Sequence, residues 1–400
     1  MQDGWRSKGE TLEPEGKTRG HLCAAPGAEP VKTTARSKDI HVVTVTGIRP
    51  DFIRMSKVFE RLDETFTHTM IHTGQHYDDE LSKVFFRELK IRTPDYTLST
   101  GIESQNHYEQ LSYLTTALIE LLKEKKLNPA IILFLGDSNS ALVSAPLFKE
   151  GYRIGHIEGG MRSYDRRMPE EVNRVICDYV SDIVFVYTPL YKERLIKENK
   201  SPDDIHVVGN TIVEVVKQYK PRGKRRADVI VADIHRSENL KNPDQYNHIL
   251  SYLNELGAES RKKVALVRFR RGVRLIDEHD LLEGKPWVTL VGPFGFLDYL
   301  DLQYHAFGVV SDSGTSQEEC PLLKVPVAVP RNFTERPESI EFGNSILVGE
   351  TRAIPTMVGE TLDFFAHYSI SPEQVAWLGD GKTSQSIARI LEKRLSGRKH

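Results

Sequence analysis

From residue 40 onward the chain alternates short apolar runs with longer amphipathic stretches. The runs at residues 41–45, 69–72, 131–135, 153–157, 183–187 and 206–208 are rich in Val, Ile and Leu and read as buried strands. Between them, residues 108–126 and 170–180 repeat apolar positions at helical spacing. Strands that alternate with helices imply a parallel sheet covered on both faces. A basic, proline-marked stretch at 217–226 interrupts the rhythm, which restarts at 229–232, 264–267, 288–291, 308–311 and 327–329. The pattern therefore predicts an α/β chain of two Rossmann-like domains facing across a cleft, residues 39–217 and 227–382. A last helix at about 383–395, with a tail to residue 400, is free to pack on either half.

Residues 1–38 lack this pattern and are rich in Gly, Pro, Lys, Arg and Glu. Such a segment buries too little to offset the entropy of ordering, so a disordered leader is expected. It carries no apolar core of a secretory signal, and Glu10, Glu13, Glu15 and Glu29 argue against a transit peptide.

Polar residues gather where the predicted strands end. Asp137 follows the run at 131–135, Glu158 follows 153–157 between His156 and two glycines, and Glu170 opens a helix after Pro169. His235 follows 229–234, and Ser313, Gly314 and Thr315 lie between a strand and a helix, a geometry that catches phosphate. Arg49, Arg54 and Arg336 are guanidiniums suited to phosphate oxygens, and Glu319 is placed to meet a ribose. Each has an ordinary structural reading. Asp137 fits a helix N-cap, Glu158 an ion pair with Arg162 or Arg174, and Glu170 or Glu171 a partner of the helix dipole. Arg49 fits a surface turn, Glu319 a partner for a nearby cation, and His235 a satisfied structural imidazole. Their joint placement at strand ends in both halves favours proton chemistry on a phosphorylated or nucleotide-linked substrate.

Composition narrows the class further. The 400 residues hold 54 Lys and Arg against 56 Asp and Glu, a formal charge of −2, so no basic field points to nucleic acid. No apolar run approaches the ~18 residues of a membrane span, so no membrane association is expected. Cys23, Cys177 and Cys320 are too far apart for a zinc site or a disulfide framework, which suits a reducing cytoplasm.

The ordered motifs resemble those of the non-hydrolysing UDP-N-acetylglucosamine 2-epimerase family, from about residue 41 to about 365. They are Gly47-x-Arg49-Pro50, Thr73-Gly74-Gln75-His76, Gly136-Asp137 and His156-x-Glu158-x-Gly160-x-Arg162, followed by Pro169-Glu170-Glu171-x-Asn173-Arg174 and Gly209-Asn210-Thr211. His235-Arg236, Asp312-Ser313-Gly314-x-x-Gln317-Glu318-Glu319 and Thr334-Glu335-Arg336-Pro337-Glu338 complete the series. The resemblance implies a glycosyltransferase-B-like fold, a homodimer, a UDP-sugar substrate, and no metal or redox cofactor. It places Asp137, Glu158, Glu170 and His235 at catalytic positions. Arg49, Arg54, Gln75, His76, Arg162, Ser313, Gly314, Thr315, Glu319 and Arg336 fall at substrate positions.

The implied reaction inverts C2 of a UDP-2-acetamido sugar by eliminating UDP to a 2-acetamidoglucal and adding it back. Three other outcomes share the fold: a hydrolysing 2-epimerase, an epimerase of another UDP-2-acetamido sugar, and a glycosyltransferase. Several segments depart from the family pattern, among them Thr315-Ser316 in place of the usual Gly-Ile and the run Arg162 to Met168 before Pro169-Glu170-Glu171. Val267-Arg268-Phe269-Arg270-Arg271-Gly272 stands where a His-Pro pair is usual, and Pro293 to Tyr299 lacks the glutamine often set against uracil.

Overall fold

The protein is described here by a computed structural model covering residues 38–74, 86–98, 107–164 and 168–396. The expected leader up to residue 37 lies outside the described residues, as do Gln75 and His76.

Among the described residues, thirteen strands form two wholly parallel sheets. The first holds β1 (His41–Thr46), β2 (Thr67–His72), β3 (Tyr96–Thr97), β4 (Ile131–Leu135), β5 (Ile154–Gly159), β6 (Ile183–Val186) and β7 (Ile205–Val207), in the order β3-β2-β1-β4-β5-β6-β7. The second holds β8 (Val229–Asp233), β9 (Lys263–Val267), β10 (Val288–Val291), β11 (Ala306–Ser311), β12 (Val327–Val329) and β13 (Ser345–Leu347), in the order β10-β9-β8-β11-β12-β13. Both are doubly wound, as the alternating pattern predicts. The reason is visible in β4, where Ile131, Ile132, Leu133, Phe134 and Leu135 are all buried, because helices cover both faces.

Strand order reverses between β1 and β4 in one sheet, and between β8 and β11 in the other. Chains leaving such a pair diverge to opposite faces and open a crevice at the carboxyl ends of the strands. The loops that leave β1 and β4 carry Arg49 and Asp137; those that leave β8 and β11 carry His235 and Ser313.

β5 departs from regular geometry where the chemistry lies. Its pairing with β6 shifts register between Ile157 and Gly159, and Glu158 has φ +75°. A bulge of this kind removes a residue from the ladder and re-aims its side chain. A left-handed conformation at a glutamate is strained and persists only where the surroundings enforce it. The period-two pattern ended this strand one residue short of Glu158, because a bulge leaves no periodic trace. Strands β3 and β13, of two and three residues, are not among the runs read from the sequence and appear only in the structure.

One apolar core runs through both halves, joining Val42, Phe59 and Phe185 of the first sheet's surroundings to Val231, Phe296 and Val309 of the second's. The last helix, Thr383–Leu395, crosses back and packs on Arg49–Thr65. Its Thr383 hydroxyl donates to the carbonyls of Val208 and Asn210 at 3.0 and 3.3 Å. The crossing is tight at Gly379, where a Cβ would come within 2.8 Å of the Gly209 Cα. Leu391, on the buried stripe of this helix, is fully enclosed. Leu391→Ala is expected to cost about 2–5 kcal/mol of stability, read as a lowered denaturant midpoint. An unchanged midpoint would contradict the packing of this helix as an integral layer.

Candidate functional site

The arginine at residue 54 is the centre of the site. Asp51 caps the loop after β1, its Oδ2 accepting from the Gly47 and Ile48 N–H groups at 2.8 and 3.1 Å, and so fixes the start of the helix Arg49–Thr65. One turn further on, Arg54 reaches into the cleft. Its Nη2 lies 2.6 Å from Glu158 Oε2 and 3.0 Å from Glu318 Oε2, so it joins the first sheet's carboxylate to the second's. Tyr187 and Asn210 complete its surroundings, their oxygens 3.3 and 3.4 Å from the same nitrogen. Arg49 opens that helix, half-buried at its N-terminal end.

The carboxylates take distinct environments. Asp137 does not cap the helix Asn139–Leu142, whose N-cap is Ser138; it makes a short ion pair with the buried Arg174. The Asn173 amide meanwhile donates to the Asp137 carbonyl at 2.8 Å. Glu158 pairs with Arg54, and neither Arg162 nor Arg174 contacts it directly. Burial raises its carboxyl above the usual range, against the pull of Arg54 and Arg336. Glu171 is the structural member of its pair. It accepts from the Ser163 and Tyr164 N–H groups at 3.0 Å each and meets Arg174 at 3.0 Å. Glu170 is left half-buried, within electrostatic reach of Arg236 across the cleft.

Arg162 does not join this group. Its guanidinium is buried against Asp178 at 2.8 Å, Glu198 at 2.6 Å and the Met161 carbonyl at 2.8 Å, a full set of acceptors within the first half.

The second sheet brings the remaining residues. Asp312, fully buried after β11, accepts from the His235 and Arg236 N–H groups and from the Asn239 amide, at 2.9–3.2 Å. These bonds shape the loop after β8. His235 Nδ1 lies 3.1 Å from Asp233 and 3.6 Å from Asp312. Burial pulls its pKa down, but the two carboxylates prevail and lift it to about 9, so it is an imidazolium at neutral pH.

The Ser313 hydroxyl meets that of Thr315 at 3.1 Å, just before the helix Ser316–Leu323. Gly314 lies under Arg336, and a Cβ there would fall 1.9 Å from Nη1. Arg336 is buried, with Nε donating to Glu318 at 2.8 Å and Nη1 3.0 Å from Glu335. Glu319 is nearly enclosed, its carboxyl pushed up to about 8 by burial and by the charge of Glu318.

Glu318, Glu335 and Tyr187 belong to this constellation and were missed from the sequence. Glu318 and Glu335 sit inside motifs already noticed, beside Glu319 and Arg336, so an adjacent signal existed. Tyr187 had none, being one aromatic residue at the end of an apolar run.

Glu335 shows how the cluster is balanced. It is fully buried and contacts Arg236 at 2.8 Å, Arg331 at 2.9 Å and Arg336 at 3.0 Å. Burial alone would raise its carboxyl, but these guanidiniums hold it well below the usual range. Glu335→Gln removes the counter-charge shared by the buried Arg331 and Arg336 and the half-buried Arg236, and is expected to cost about 3–5 kcal/mol, measured by chemical denaturation. The loss should shrink as pH falls through the range where the wild-type carboxylate itself protonates, because a depressed folded-state pKa contributes stability only above it.

These features have counterparts in known proteins. The family model described as UDP-N-acetylglucosamine 2-epimerase matches residues 60–392. A Methanococcus maripaludis protein of that name is 33% identical over 365 residues, covering 87% of this chain and 97% of its own. The Pseudomonas aeruginosa UDP-2,3-diacetamido-2,3-dideoxy-D-glucuronate 2-epimerase is 31% identical, covering 88% and 99%. The crystal structure of Methanocaldococcus jannaschii UDP-GlcNAc 2-epimerase in complex with UDP-GlcNAc and UDP superposes with a TM-score of 0.80 at 31% identity, covering 88% of this chain and all of that one. With its two doubly wound sheets and the motifs gathered at their switch points, the chain belongs to the UDP-N-acetylglucosamine 2-epimerase family.

Proposed function

We propose that the protein epimerises C2 of a UDP-2-acetamido sugar, converting UDP-N-acetylglucosamine to UDP-N-acetylmannosamine without hydrolysis. The observation that carries this reading is the meeting of Asp137, Glu158, Arg54 and Arg336 in one cleft, with Arg236 within electrostatic reach of both Asp137 and the imidazolium of His235. Glu170 adds a third carboxylate that is not committed to the fold.

The chemistry requires such a set. The C2 proton is not adjacent to a carbonyl, so it is not acidic in the ground state. As the C1–O bond breaks, oxocarbenium character at C1 acidifies C2–H. A carboxylate takes that proton while UDP departs, leaving a neutral 2-acetamidoglucal. Return of a proton to the opposite face of C2, with UDP adding back at C1, completes the inversion. Two faces need at least two acid–base groups, drawn from Asp137, Glu158 and Glu170.

The departing diphosphate gathers negative charge. Arg49, Arg54, Arg336 and protonated His235, with the segment Ser313-Gly314-Thr315 at a helix start, are the groups that receive it. Glu319 holds the ribose. Arg162 acts only through Asp178, whose carboxylate also accepts from the Gly160 N–H at 3.0 Å. A second reading keeps the chemistry and changes the sugar to a uronic or deoxy relative; the identity to the Pseudomonas aeruginosa enzyme supports it.

The chain divides into the two domains at residues 217–227. A homodimer in a reducing cytoplasm accompanies this reading. Support for the dimer comes from Val172, Val175 and Tyr179, an exposed stripe along the helix Pro169–Val180, near exposed Phe148 of the adjoining helix Ser144–Lys149.

Proton NMR with UDP-N-acetylglucosamine in deuterated water tests the reaction. Deuterium at C2 with growth of the manno epimer is expected; free sugar plus UDP would mean hydrolysis instead. Asp137→Asn, Glu158→Gln and His235→Ala should each lower turnover by ~10² or more. A variant with normal turnover removes that residue from the mechanism. The imidazolium exists only below its pKa, so kcat should fall as pH rises through about 9. In His235→Gln that alkaline limb should be absent.

A further inference from the structure

Glu158 is held by more than its ion pair. Tyr187, the residue immediately after β6, is almost wholly buried, and its hydroxyl donates to Glu158 Oε2 at 3.0 Å. The Tyr187 hydroxyl oxygen also accepts from Arg54 Nη2 at 3.3 Å and meets the Thr211 hydroxyl at 3.1 Å. A phenol has one proton to give. With that proton on Glu158, the contacts from Arg54 and Thr211 fall on its acceptor side, and the three hydrogen bonds are mutually consistent.

Both partners of Glu158 therefore bind one carboxylate oxygen. Oε2 takes Tyr187 and Arg54, whereas Oε1 faces Gly136, the residue before Asp137, where a Cβ would lie 3.7 Å away. Of the two oxygens, Oε1 is the one on the side of the loop that follows β4. The left-handed backbone at Glu158 does not by itself choose between carboxylate orientations, since its side chain has three rotatable bonds. The phenol makes that choice.

We propose that Tyr187 is a positioning residue of the epimerisation, locking Oε2 of Glu158 so that Oε1 is presented to the sugar even when Arg54 turns to the diphosphate. The inference rests on the reading of Glu158 as a reacting carboxylate. Arg54 cannot serve both anions equally. Once it is drawn toward UDP, Tyr187 becomes the hydrogen bond that keeps Glu158 ionised and aimed. Thr211 and the buried ring fix the phenol in turn, so the support does not depend on a mobile cation.

Tyr187→Phe tests this by removing one oxygen and keeping the ring. The expected result is a kcat lower by about 10- to 100-fold, the range for a lost hydrogen bond to a charged group. KM and UDP affinity should stay within about twofold, because binding does not use the phenol. The acid limb of the pH–kcat profile should move to higher pH, since a donor that favours the carboxylate has gone.

The other charges facing Glu158 are Arg54, Asp51, Asp137 and Arg174 from the first half and Arg336 and Glu318 from the second. All of them remain in the variant, so the shift reports the phenol. An unchanged kcat and acid limb would overturn the proposal. So would parallel losses in kcat, UDP affinity and melting temperature, which would mark a merely structural residue. Should the variant fail to fold, Thr211→Val carries the same test, weakening the phenol as a donor while leaving Glu158 intact. A smaller shift of the limb in the same direction supports the role, and no shift overturns it. Wild-type C2 deuterium exchange run alongside separates the two readings. Without exchange, for any UDP-2-acetamido sugar, Glu158 loses its role and this inference falls with it. With exchange, the variants judge Tyr187 alone.

Discussion

A guanidinium taken out of water must be matched by a carboxylate, and this requirement organises the cleft. Arg54, Arg174, Arg331 and Arg336 are all buried, and Arg236 stands beside them. Their counter-charges are Asp137, Glu158, Glu318 and Glu335. One of these pairs, Arg54 with Glu318 at 3.0 Å, crosses from one sheet's loops to the other's, and the same guanidinium also holds Glu158. Joining the halves and assembling the site are therefore one event. Breaking a buried pair leaves an uncompensated charge, whereas exchanging one anion for another does not. An entering diphosphate can draw Arg54 or Arg336 from its carboxylates without stranding the cation.

The carboxylates then inherit the consequence. Glu158 is raised by burial and restrained by Arg54 and Arg336, whereas Glu335, among several arginines, is held ionised. The same residue type thus serves two purposes in adjacent places. One carboxylate is pushed by burial toward its protonated form; the other is a fixed negative charge that keeps cations in position. Burial sets the direction of each shift, and the number of facing guanidiniums decides which effect wins.

Backbone geometry delivers these side chains. Doubly wound order opens a crevice between β1 and β4 and another between β8 and β11, and the loops at both crevices carry the polar residues. Within that frame local departures make the fine adjustments. The bulge at Glu158 takes one residue out of the ladder, and Asp312 folds the 235–239 loop around its own carboxylate. Gly314 leaves the space that Arg336 occupies.

Much of this was legible in the sequence, because the hydrophobic period and the strand-end motifs are local. The spacing of Val, Ile and Leu alone determined two parallel α/β halves, down to strands such as 131–135 and 288–291 and the helix at 383–395. The motifs likewise marked the loops whose polar residues the structure brings together. Tertiary structure decided what periodicity cannot encode. It placed the last helix against Arg49–Thr65, turned Arg162 into the fold, and gave Glu171 to structure while leaving Glu170 half-buried at the cleft. It also set Tyr187 on Glu158, across 29 residues of chain. The physical reason is the same in each case. Hydrophobic burial depends on the pattern within one segment, whereas the partner of a buried charge or hydroxyl is chosen only when distant segments meet.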